Sequence, residues 1–482
     1  MPVLRSSMVR VRFAPSPTGF LHIGGARTYI FNWLFARQQQ GTVVLRIDDT
    51  DMERSTEASR QSIFEGLGWL ELPWDEQCAQ SERAGLHRRG VEAILAKGMA
   101  YRDFTPAGAE EAQREHRGAP WLFNAGQREI PCQESDRRAA AGESFVVRFR
   151  VPREALSELR FDDDVYGPQA RSTGDVEDFA LARSDGTPTY HLASCADDAD
   201  LHITHIIRGQ DHLANTFKHL LIFEALGGPR PRFAHLPLLL APDGSKLSKR
   251  RHGPVVSVTA YRDAGFLPHA FMNFLSLLGW SPKDNREVLG RAELIELFSF
   301  AGVNRNNAVV AFKENDPENW TDPKALWLNA QHLRSMPIDE LTPYVGRELG
   351  GEGRDPEWFR RIVNLLRARY STLRDFRDKG AAYFGDQFPI EPAAREKLEA
   401  PGAGELLAEL GERLGRAAEF TEESVEQELR TLATQRGVKA GLIINAARAA
   451  LSGQSVGPSC FAVFAAVGRE RALQRLRGGE SC

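Results

Sequence analysis

The stretch from Arg12 to Asp51 constrains what this chain can fold into more than any other part of the sequence. A β-rich run, Val9 to Phe13, enters a turn built of two prolines and a glycine. The turn leads to His22 and to the pair Gly24 and Gly25, where a helical pattern begins. A helix N-terminus presents free backbone N–H groups and the positive end of the helix dipole. The order of strand, turn and helix therefore predicts an anion-binding cradle.

The rest of the chain predicts one interrupted sheet followed by helices. With 482 residues the chain is too long for a single core, and its length suggests about three domains. Strand and helix patterns alternate up to about residue 100, which predicts a parallel sheet with crossover helices. A more polar stretch, 101–195, predicts an α+β insertion, and buried-strand patterns return at His202–Arg208 and Arg232–Leu240. The expected fold class is α/β: a Rossmann-type parallel-sheet domain with an α+β insertion, followed by an all-α C-terminal region.

Apolar residues at helical spacing predict the helices. The predicted helices are Ser59–Leu70, Glu82–Ala100, Ala107–Gly118, Pro356–Leu373, Ala393–Leu414, Glu422–Gln435 and Glu470–Leu476. The expected domain boundaries are 1–100 and 196–241 for the two halves of the sheet domain, 101–195 for the insertion, 242–330 for a linking domain and 331–482 for the helical region.

Bulk composition excludes several classes of protein. No window has the ~18 apolar residues that a membrane helix needs, and the short basic N-terminus has no apolar signal-peptide core. We therefore expect a cytoplasmic protein without membrane contact. The net charge of −4 gives no sign of a basic nucleic-acid-binding domain, although local patches matter more than totals. The five cysteines lack metal-site spacing, so neither a zinc site nor a disulfide framework is predicted.

Two groups of basic residues suggest ligand chemistry. Lys246 and Lys249 lie in a basic run after a flexible turn and a buried strand; such a run is usually a solvated face. Lysine carries a point charge on a flexible side chain, which suits binding to a phosphate group that moves during a reaction. A lysine loop far in sequence from His22 therefore suggests two parts of one binding site that close on a triphosphate, which we interpret as ATP. Arg12 and Arg208 fall at predicted strand ends, where each alone would typically form a surface ion pair. Together they would suit a dicarboxylate.

These residues taken together resemble the class I aminoacyl-tRNA synthetases, and more narrowly the bacterial glutamyl-tRNA synthetases. His22-Ile23-Gly24-Gly25 matches the HIGH-type signature of that family, and Lys246-Leu247-Ser248-Lys249-Arg250 matches its KMSKS-type loop. Further blocks match at Arg12–Gly19, Arg46–Asp51, Arg208–Leu213 and Trp320–Trp327. Each motif alone is weak, but their common order makes a chance match very improbable.

The resemblance implies the following roles. The glutamate site would contain Arg12, Ala14, Ser16, Asp48, Tyr190, Ser194 and Arg208, with Arg208 on the side-chain carboxylate and Asp48 on the ammonium group. The ATP site would contain His22, Gly24, Gly25, Asp211, Leu239 and Lys249. The catalytic residues would be His22, Gly24, Lys246 and Lys249. The insertion would bind the tRNA acceptor end, residues 242–330 would carry the KMSKS-type loop and contact the tRNA stem, and the C-terminal region would bind the anticodon, with Arg367 and Arg369 as candidates.

The resemblance also implies the reaction and its partners. Glutamate would attack the α-phosphate of ATP with Mg²⁺, and a ribose hydroxyl at the 3′ end of tRNA(Glu) would then take the glutamyl group from the adenylate. Bound tRNA is expected to be needed for the first step, and the protein is expected to be a monomer. Two departures from the family pattern stand out. Asp48 replaces a frequent glutamate, and Tyr101-Arg102-Asp103-Phe104 lacks the cysteines of zinc-binding members, so zinc is predicted absent.

Four rival interpretations fit parts of the sequence. A glutaminyl-tRNA synthetase shares the catalytic half but has a β-rich anticodon region. A shortened homologue that glutamylates a tRNA base lacks an anticodon region, and a small-molecule nucleotidyltransferase does not need one. The C-terminal third of this chain is large and helical, which argues against all three of these enzymes. A non-catalytic tRNA-binding paralogue is disfavoured because His22, Lys249 and Arg208 are intact. Whether tRNA(Gln) is also charged stays open, with Arg367 and Arg369 favouring discrimination.

Overall fold

The computed structural model describes residues 8–50, 55–106, 125–313, 320–351 and 355–477. The chain divides into two compact units. The first, here called the catalytic unit, comprises Met1–Ala260 and Met272–Asp322; the second, the helical unit, comprises Tyr261–Phe271 and Pro323–Cys482. The finer predicted boundaries stay predictions. In the described part of the chain, no helix is long and apolar enough to cross a membrane.

A seven-stranded sheet organises the catalytic unit. The strands of the chain are Arg10–Phe13 (β1), Thr42–Ile47 (β2), Glu76–Ala79 (β3), Ala100–Asp103 (β4), Val146–Phe149 (β5), Glu158–Asp163 (β6), Gly167–Ser172 (β7), Ala180–Ala182 (β8), His205–Gly209 (β9), Arg232–Leu236 (β10), Leu239–Leu240 (β11) and Ala308–Val309 (β12). The order in the large sheet is β3-β2-β1-β9-β10-β6-β7. All neighbours in it are parallel except β6 and β7.

The order of the strands fixes where a ligand can bind. The strands β2 and β3 follow on one side of β1 in the sheet, and β9 and β10 follow later in the chain on its other side. The two sets of strands meet between β1 and β9, where Val11 pairs with His205. Ligands of open parallel sheets bind at the carboxyl ends of the strands at such a switch point. The ends of β1 and β9 are where Arg12 and Arg208 lie.

Helices cover the sheet, and a smaller sheet lies within the predicted insertion. The helices of the catalytic unit include Ile23–Gln38, Glu57–Trp69, Ala84–Ala96, Ala125–Arg128, Cys132–Ala140, Tyr190–Asp200, Leu213–Leu226, Lys249–His252 and Arg291–Leu297. The second sheet is antiparallel in the order β4-β5-β8. The β6–β7 hairpin, although it also lies within 101–195, joins the large sheet. The predicted helix Ala107–Gly118 lies outside the described residues.

The helical unit has a single apolar core formed by short helices. Its helices include Pro323–Ser335, Ile338–Glu348, Pro356–Leu366, Arg374–Asp378, Ala381–Phe384, Pro392–Leu398, Ala403–Arg416, Glu422–Gln435, Ala440–Ser452, Cys460–Val467 and Arg469–Leu476. Leu410, Leu429, Ile443 and Phe464 are fully buried in its core. The helical character predicted for this region, and with it the fold class, is confirmed.

Three of the helices predicted above are shorter than expected. The helix predicted as Glu82–Ala100 is observed as Ala84–Ala96, since Gly98 has a left-handed φ of 69° and Ala100 begins β4. The predicted helix Ala393–Leu414 is wrong as one element, because the chain forms Pro392–Leu398 and then Ala403–Arg416. Pro401 precedes Gly402, which has a left-handed φ of 78°, and this backbone cannot continue a helix. The helix predicted as Pro356–Leu373 ends at Leu366 and continues as a 3-10 turn, Arg367–Arg369.

Candidate active site

One cavity at the switch point gathers the predicted site residues. It has a volume of about 490 Å³ and lies wholly within the catalytic unit. It is lined by Arg12, Ala14, Ser16, His22, Gly24, Gly25, Asp48, Tyr190, Ser194, Arg208, Asp211, Leu239 and Lys246, among others. Lys249 begins the short helix Lys249–His252, but its side chain lies outside what the structure describes. Every residue predicted for the glutamate and ATP sites, apart from Lys249, therefore lines this one cavity.

His22 is the N-terminal cap of the helix Ile23–Gln38. Its ring Nδ1 accepts a hydrogen bond from the backbone N–H of Gly24 at 3.0 Å. This bond satisfies one of the N–H groups that a helix leaves open at its start, and it leaves the proton of a neutral ring on Nε2. Because the Gly24 N–H is engaged, His22 offers the cradle a side-chain donor in place of this backbone donor.

Lys246 and Asp211 form an ion pair at the rim of the cavity. The Lys246 Nζ lies 2.8 Å from Asp211 Oδ2, and the two side chains are 60% and 41% exposed. Burial acts to raise the pKa of Asp211, but the hydrogen bond to Lys246 and the positive charge of Lys246 outweigh it, and the pKa is lowered. The lining of the cavity thus includes a lysine cation as well as His22.

A buried ion network holds Arg12. The Arg12 Nε donates to both oxygens of Asp198, at 3.1 and 3.2 Å. The same carboxylate accepts from Arg46 Nη1 at 2.7 Å. Arg46 is fully buried and also donates to the Ser194 hydroxyl at 3.1 Å. Asp198 therefore neutralises charge on two arginines at once and ties β1 and β2 to the helix Tyr190–Asp200.

Asp48 is the second carboxylate of this network. Arg46 Nε and Nη2 donate to its two oxygens at 2.6 and 3.2 Å. Burial raises the pKa of Asp48, and the Arg46 guanidinium partly offsets that rise. The carboxylate lines the cavity, so an ammonium group bound there would share it with Arg46. The role predicted for Asp48 stays a prediction.

Arg208 lies at the end of β9 in a group of histidines. Its guanidinium donates to Tyr190 Oη at 3.3 Å, to His219 Nδ1 at 3.2 Å and to His235 Nε2 at 3.2 Å. Burial lowers the pKa of Arg208, and the charge of Arg12 acts in the same direction. Arginine nevertheless keeps its proton at neutral pH.

Four residues that hydrogen-bond to the predicted site residues were not themselves predicted from the sequence. Arg46, Asp198, His219 and His235 were not predicted as site residues, although all four contact residues that line the cavity. One signal was available for Asp198: two consecutive aspartates, Asp197 and Asp198, stand in a helix whose neighbouring side chains are buried. Such a pair needs buried partners of opposite charge.

The two arginines predicted for the anticodon differ in their surroundings. Arg367 Nη1 donates to the backbone carbonyl of Met336 at 2.6 Å, whereas Arg369 is exposed. Both lie in the helical unit. Among the residues that the structure describes, no group of three or more His, Cys, Asp or Glu side chains is arranged to hold a metal ion. The predicted absence of zinc stays a prediction.

Comparison with known proteins identifies the family. Residues 8–315 match the family described as tRNA synthetases class I (E and Q), catalytic domain, and residues 337–479 match the anticodon binding domain family. The chain belongs to the class I (E and Q) tRNA synthetases. The resemblance that the sequence motifs indicated is thereby confirmed.

The similar proteins in that family are glutamate–tRNA ligases. The chain is 56% identical over 476 residues to the glutamate–tRNA ligase of Solibacter usitatus, covering 97% of this chain and 98% of that one. It is 45% identical to glutamate–tRNA ligase 2 of Koribacter versatilis, over 98% of both chains. A solved glutamate–tRNA ligase from Elizabethkingia meningosepticum, in complex with its amino acid, superposes with a TM-score of 0.82 at 32% identity, over 97% of this chain and 98% of that chain.

Proposed function

We propose that the protein is a glutamate–tRNA ligase. It activates L-glutamate with ATP and transfers the glutamyl group to the 3′ end of tRNA(Glu). The observation that carries this proposal is that Arg12, Asp48 and Arg208 line the same cavity as His22 and Lys246. The lining of one cavity thus combines the charges for an amino acid with two carboxylates and the donors for a polyphosphate.

The amino-acid half is assigned by charge. Arg208 takes the side-chain carboxylate, and Asp48 takes the α-ammonium group. Arg12, Ala14, Ser16, Tyr190 and Ser194 form the surrounding walls. Support comes from the contrast between the two arginines: Arg12 is already neutralised by Asp198, while the charge of Arg208 has no carboxylate partner among the described residues.

The nucleotide half contains His22, Gly24, Gly25, Asp211, Leu239 and Lys246. The His22 ring offers its Nε2–H to phosphate, and Lys246 adds a point charge at the same cavity. Lys249 is assigned the same task on the strength of its motif. ATP enters with Mg²⁺ bound mainly by its own phosphate oxygens and water, which is the usual arrangement for this ion. No protein-bound zinc is part of the proposal.

The chemistry needs positioning and charge stabilisation but no protein nucleophile. A carboxylate oxygen of the α-carboxyl group attacks the α-phosphorus of ATP, and pyrophosphate leaves. His22 and the lysines stabilise the charge that develops on the phosphate oxygens. The ribose hydroxyl of the terminal adenosine of tRNA then attacks the adenylate carbonyl, and AMP leaves with the bonding electrons of the broken acyl–phosphate bond.

The helical unit is assigned to the anticodon of the tRNA. Its match to the anticodon binding domain family over residues 337–479 supports this assignment. Arg369 is exposed and suited to contact RNA, whereas Arg367 also supports the fold through Met336. The insertion binds the acceptor end. The protein works as a cytoplasmic monomer.

Aminoacylation of two purified tRNAs tests the proposal. Acid-gel charging with [¹⁴C]glutamate should label tRNA(Glu), and glutamate-dependent ATP–pyrophosphate exchange should require added tRNA. The absence of charging on tRNA(Glu), with an active preparation of a known glutamate–tRNA ligase as the positive control, would overturn the proposed function. The signal on tRNA(Gln) measures discrimination between the two tRNAs, which Arg367 and Arg369 favour.

A further inference from the structure

Every N–H donor of Arg208 has a neutral acceptor. Nε donates to His235 Nε2 at 3.2 Å. Nη1 donates to His219 Nδ1 at 3.2 Å and to Tyr190 Oη at 3.3 Å, and Nη2 donates to Thr216 Oγ1 at 2.8 Å and to the backbone carbonyl of His212 at 3.2 Å. A guanidinium has five such donors, so the fork is fully hydrogen-bonded and held in one orientation.

None of these partners neutralises the charge. In the described ranges, no carboxylate lies within ion-pair distance of Arg208. Arg12 and Arg46, at the same cavity, share Asp198 at 3.1 and 2.7 Å. The Phe233 ring, with its centre 5.9 Å from the guanidinium carbon of Arg208, adds only a weak cation–π attraction. Arg208 is therefore satisfied in hydrogen bonds but uncompensated in charge.

Further groups fix the two histidines as acceptors. His235 Nδ1 lies 2.6 Å from Asp163 Oδ2, so the ring proton is on Nδ1 and Nε2 is left to accept from Arg208. His219 Nε2 lies 3.2 Å from His191 Nδ1. With its Nδ1 accepting from Arg208, His219 carries its proton on Nε2 and donates it to His191. Asp163 thus sets the tautomer of His235 from the side away from Arg208, and the His219 tautomer that accepts from Arg208 finds its own acceptor in His191.

The neutral state of these rings also follows from their surroundings. Burial, followed by the charge of Arg208, lowers the pKa of His219 well below its ordinary value. Burial also lowers the pKa of His235, against the hydrogen bond to Asp163. His191 and His212 have pKa values lowered to about 4, again by burial first. The histidines around Arg208 are neutral at physiological pH.

We propose that His219 and His235 are positioning residues that orient Arg208 while leaving its positive charge for the side-chain carboxylate of the substrate. This inference rests on the proposed function, because it takes glutamate as the substrate whose side-chain carboxylate binds the Arg208 guanidinium. The Tyr190 hydroxyl forms the longest bond to Arg208 and lines the cavity, so it is the partner that a substrate oxygen replaces.

The arrangement explains how glutamate is separated from glutamine. An amide oxygen that replaces the Tyr190 hydroxyl exchanges one neutral acceptor for another and gains little. A carboxylate oxygen gains a charge-assisted hydrogen bond and supplies the missing counter-ion in a buried setting. If a carboxylate of the protein itself were bound to Arg208, the guanidinium would already be neutralised and glutamate would no longer be preferred over glutamine.

The pair His219→Asn and His219→Asp tests the proposal, because the two side chains have the same size and differ in charge. Asn places a neutral oxygen near the position of Nδ1, and Asp places a carboxylate there. We expect His219→Asp to raise the glutamate KM about 100-fold and to lower the glutamate-to-glutamine ratio of kcat/KM by a similar factor. We expect His219→Asn to change both by less than about tenfold, and neither substitution to change the ATP KM more than about threefold.

The ratio of kcat/KM for the two amino acids makes the test robust. It is measured by ATP–pyrophosphate exchange on the tRNA-bound full chain, and the fraction of active protein cancels in it. Equal ratios for the Asn and Asp variants would overturn the proposal. If neither His219 variant is soluble, Thr216→Asn and Thr216→Asp repeat the comparison at the Nη2 atom, with the same two outcomes. A wild-type protein without glutamate-dependent exchange would instead remove the proposed function itself.

Discussion

The ammonium group of Lys246 lies 2.8 Å from the Asp211 carboxylate, and this pair joins the segment after β11 to the 3-10 helix Gln210–His212 after β9. Both side chains are more than one third exposed, at 60% and 41%. Exposed pairs of this kind are worth about 0–1 kcal/mol. Lys246 can therefore leave Asp211 for a phosphate at little cost, which suits a residue that follows a reacting triphosphate.

Lys246→Met is expected to raise the ATP KM about tenfold or more, because a charge-assisted contact to phosphate is lost. The glutamate KM should change by less than about threefold, since Arg12, Asp48 and Arg208 are untouched. The measurement is ATP–pyrophosphate exchange with each substrate varied. Arg251→Met is the matched control: Arg251 lies in the same basic run but pairs with the exposed Asp243. Equal effects of the two substitutions would refute the assignment of Lys246 to ATP.

Asp198→Asn is expected to lower the free energy of unfolding by about 3–5 kcal/mol, because it leaves the buried Arg12 without a carboxylate partner among the described residues and takes one of the carboxylates from Arg46, which keeps Asp48. Urea unfolding of the full chain measures the change. Asp200→Asn is the control, since Asp200 lies two residues further along the same helix, is 52% exposed and pairs only with Arg83 among the described residues. Its effect should stay below about 1 kcal/mol. A loss at Asp198 no larger than at Asp200 would contradict the shared-carboxylate description.

Stability should fall as the pH falls from 6.5 towards 4. Burial lowers the pKa of His191 and His212 from 6.5 to about 4 in the folded protein. Between these values the unfolded chain binds protons that the folded chain does not bind, so the free energy of unfolding rises with pH. The stabilisation is complete above 6.5 and is lost as the pH approaches about 4.

Urea unfolding at about pH 7.5 and about pH 5 measures this dependence. His191→Asn, which keeps an oxygen acceptor near the His219 ring, should reduce the difference between the two pH values because one proton-binding group is gone. The buried Asp163 and Asp197 have pKa values lowered from 3.8, so these two carboxylates titrate mainly below the range that is compared. A free energy of unfolding that is constant between the two pH values would contradict the prediction.

The helical unit offers a comparison of two neighbouring arginines. Arg369→Ala should weaken tRNA(Glu) binding about tenfold and leave the unfolding free energy unchanged, because the side chain is exposed. Arg367→Ala should in addition cost about 1 kcal/mol of stability, since its bond to the Met336 carbonyl is lost. Filter binding at fixed salt and urea unfolding give the two readouts. Unchanged tRNA affinity in both variants would remove these residues from the anticodon assignment.

Local sequence patterns predicted the residues of the site but not which of their charges are paired. The strand ends at Arg12 and Arg208, the glycines after His22 and the basic run at Lys246 are all visible as short motifs, because each depends on neighbours in the sequence. Which of two arginines meets a carboxylate depends on Asp198, which is 186 residues from Arg12. No local pattern carries that information.

The sequence by itself determined that a strand, a small-residue turn and a helix start form half of a ligand site, that a second half lies far later in the chain, from Tyr190 onward, and that helices dominate the C-terminal third. Only the tertiary structure decided that β1 and β9 are neighbours, that Asp198 neutralises Arg12, and that histidines surround Arg208 without neutralising it. The physical reason is the distance along the chain over which each kind of interaction acts. Propensity and periodicity act over a few residues, whereas burial and Coulomb interactions act between groups that meet only after the chain has folded.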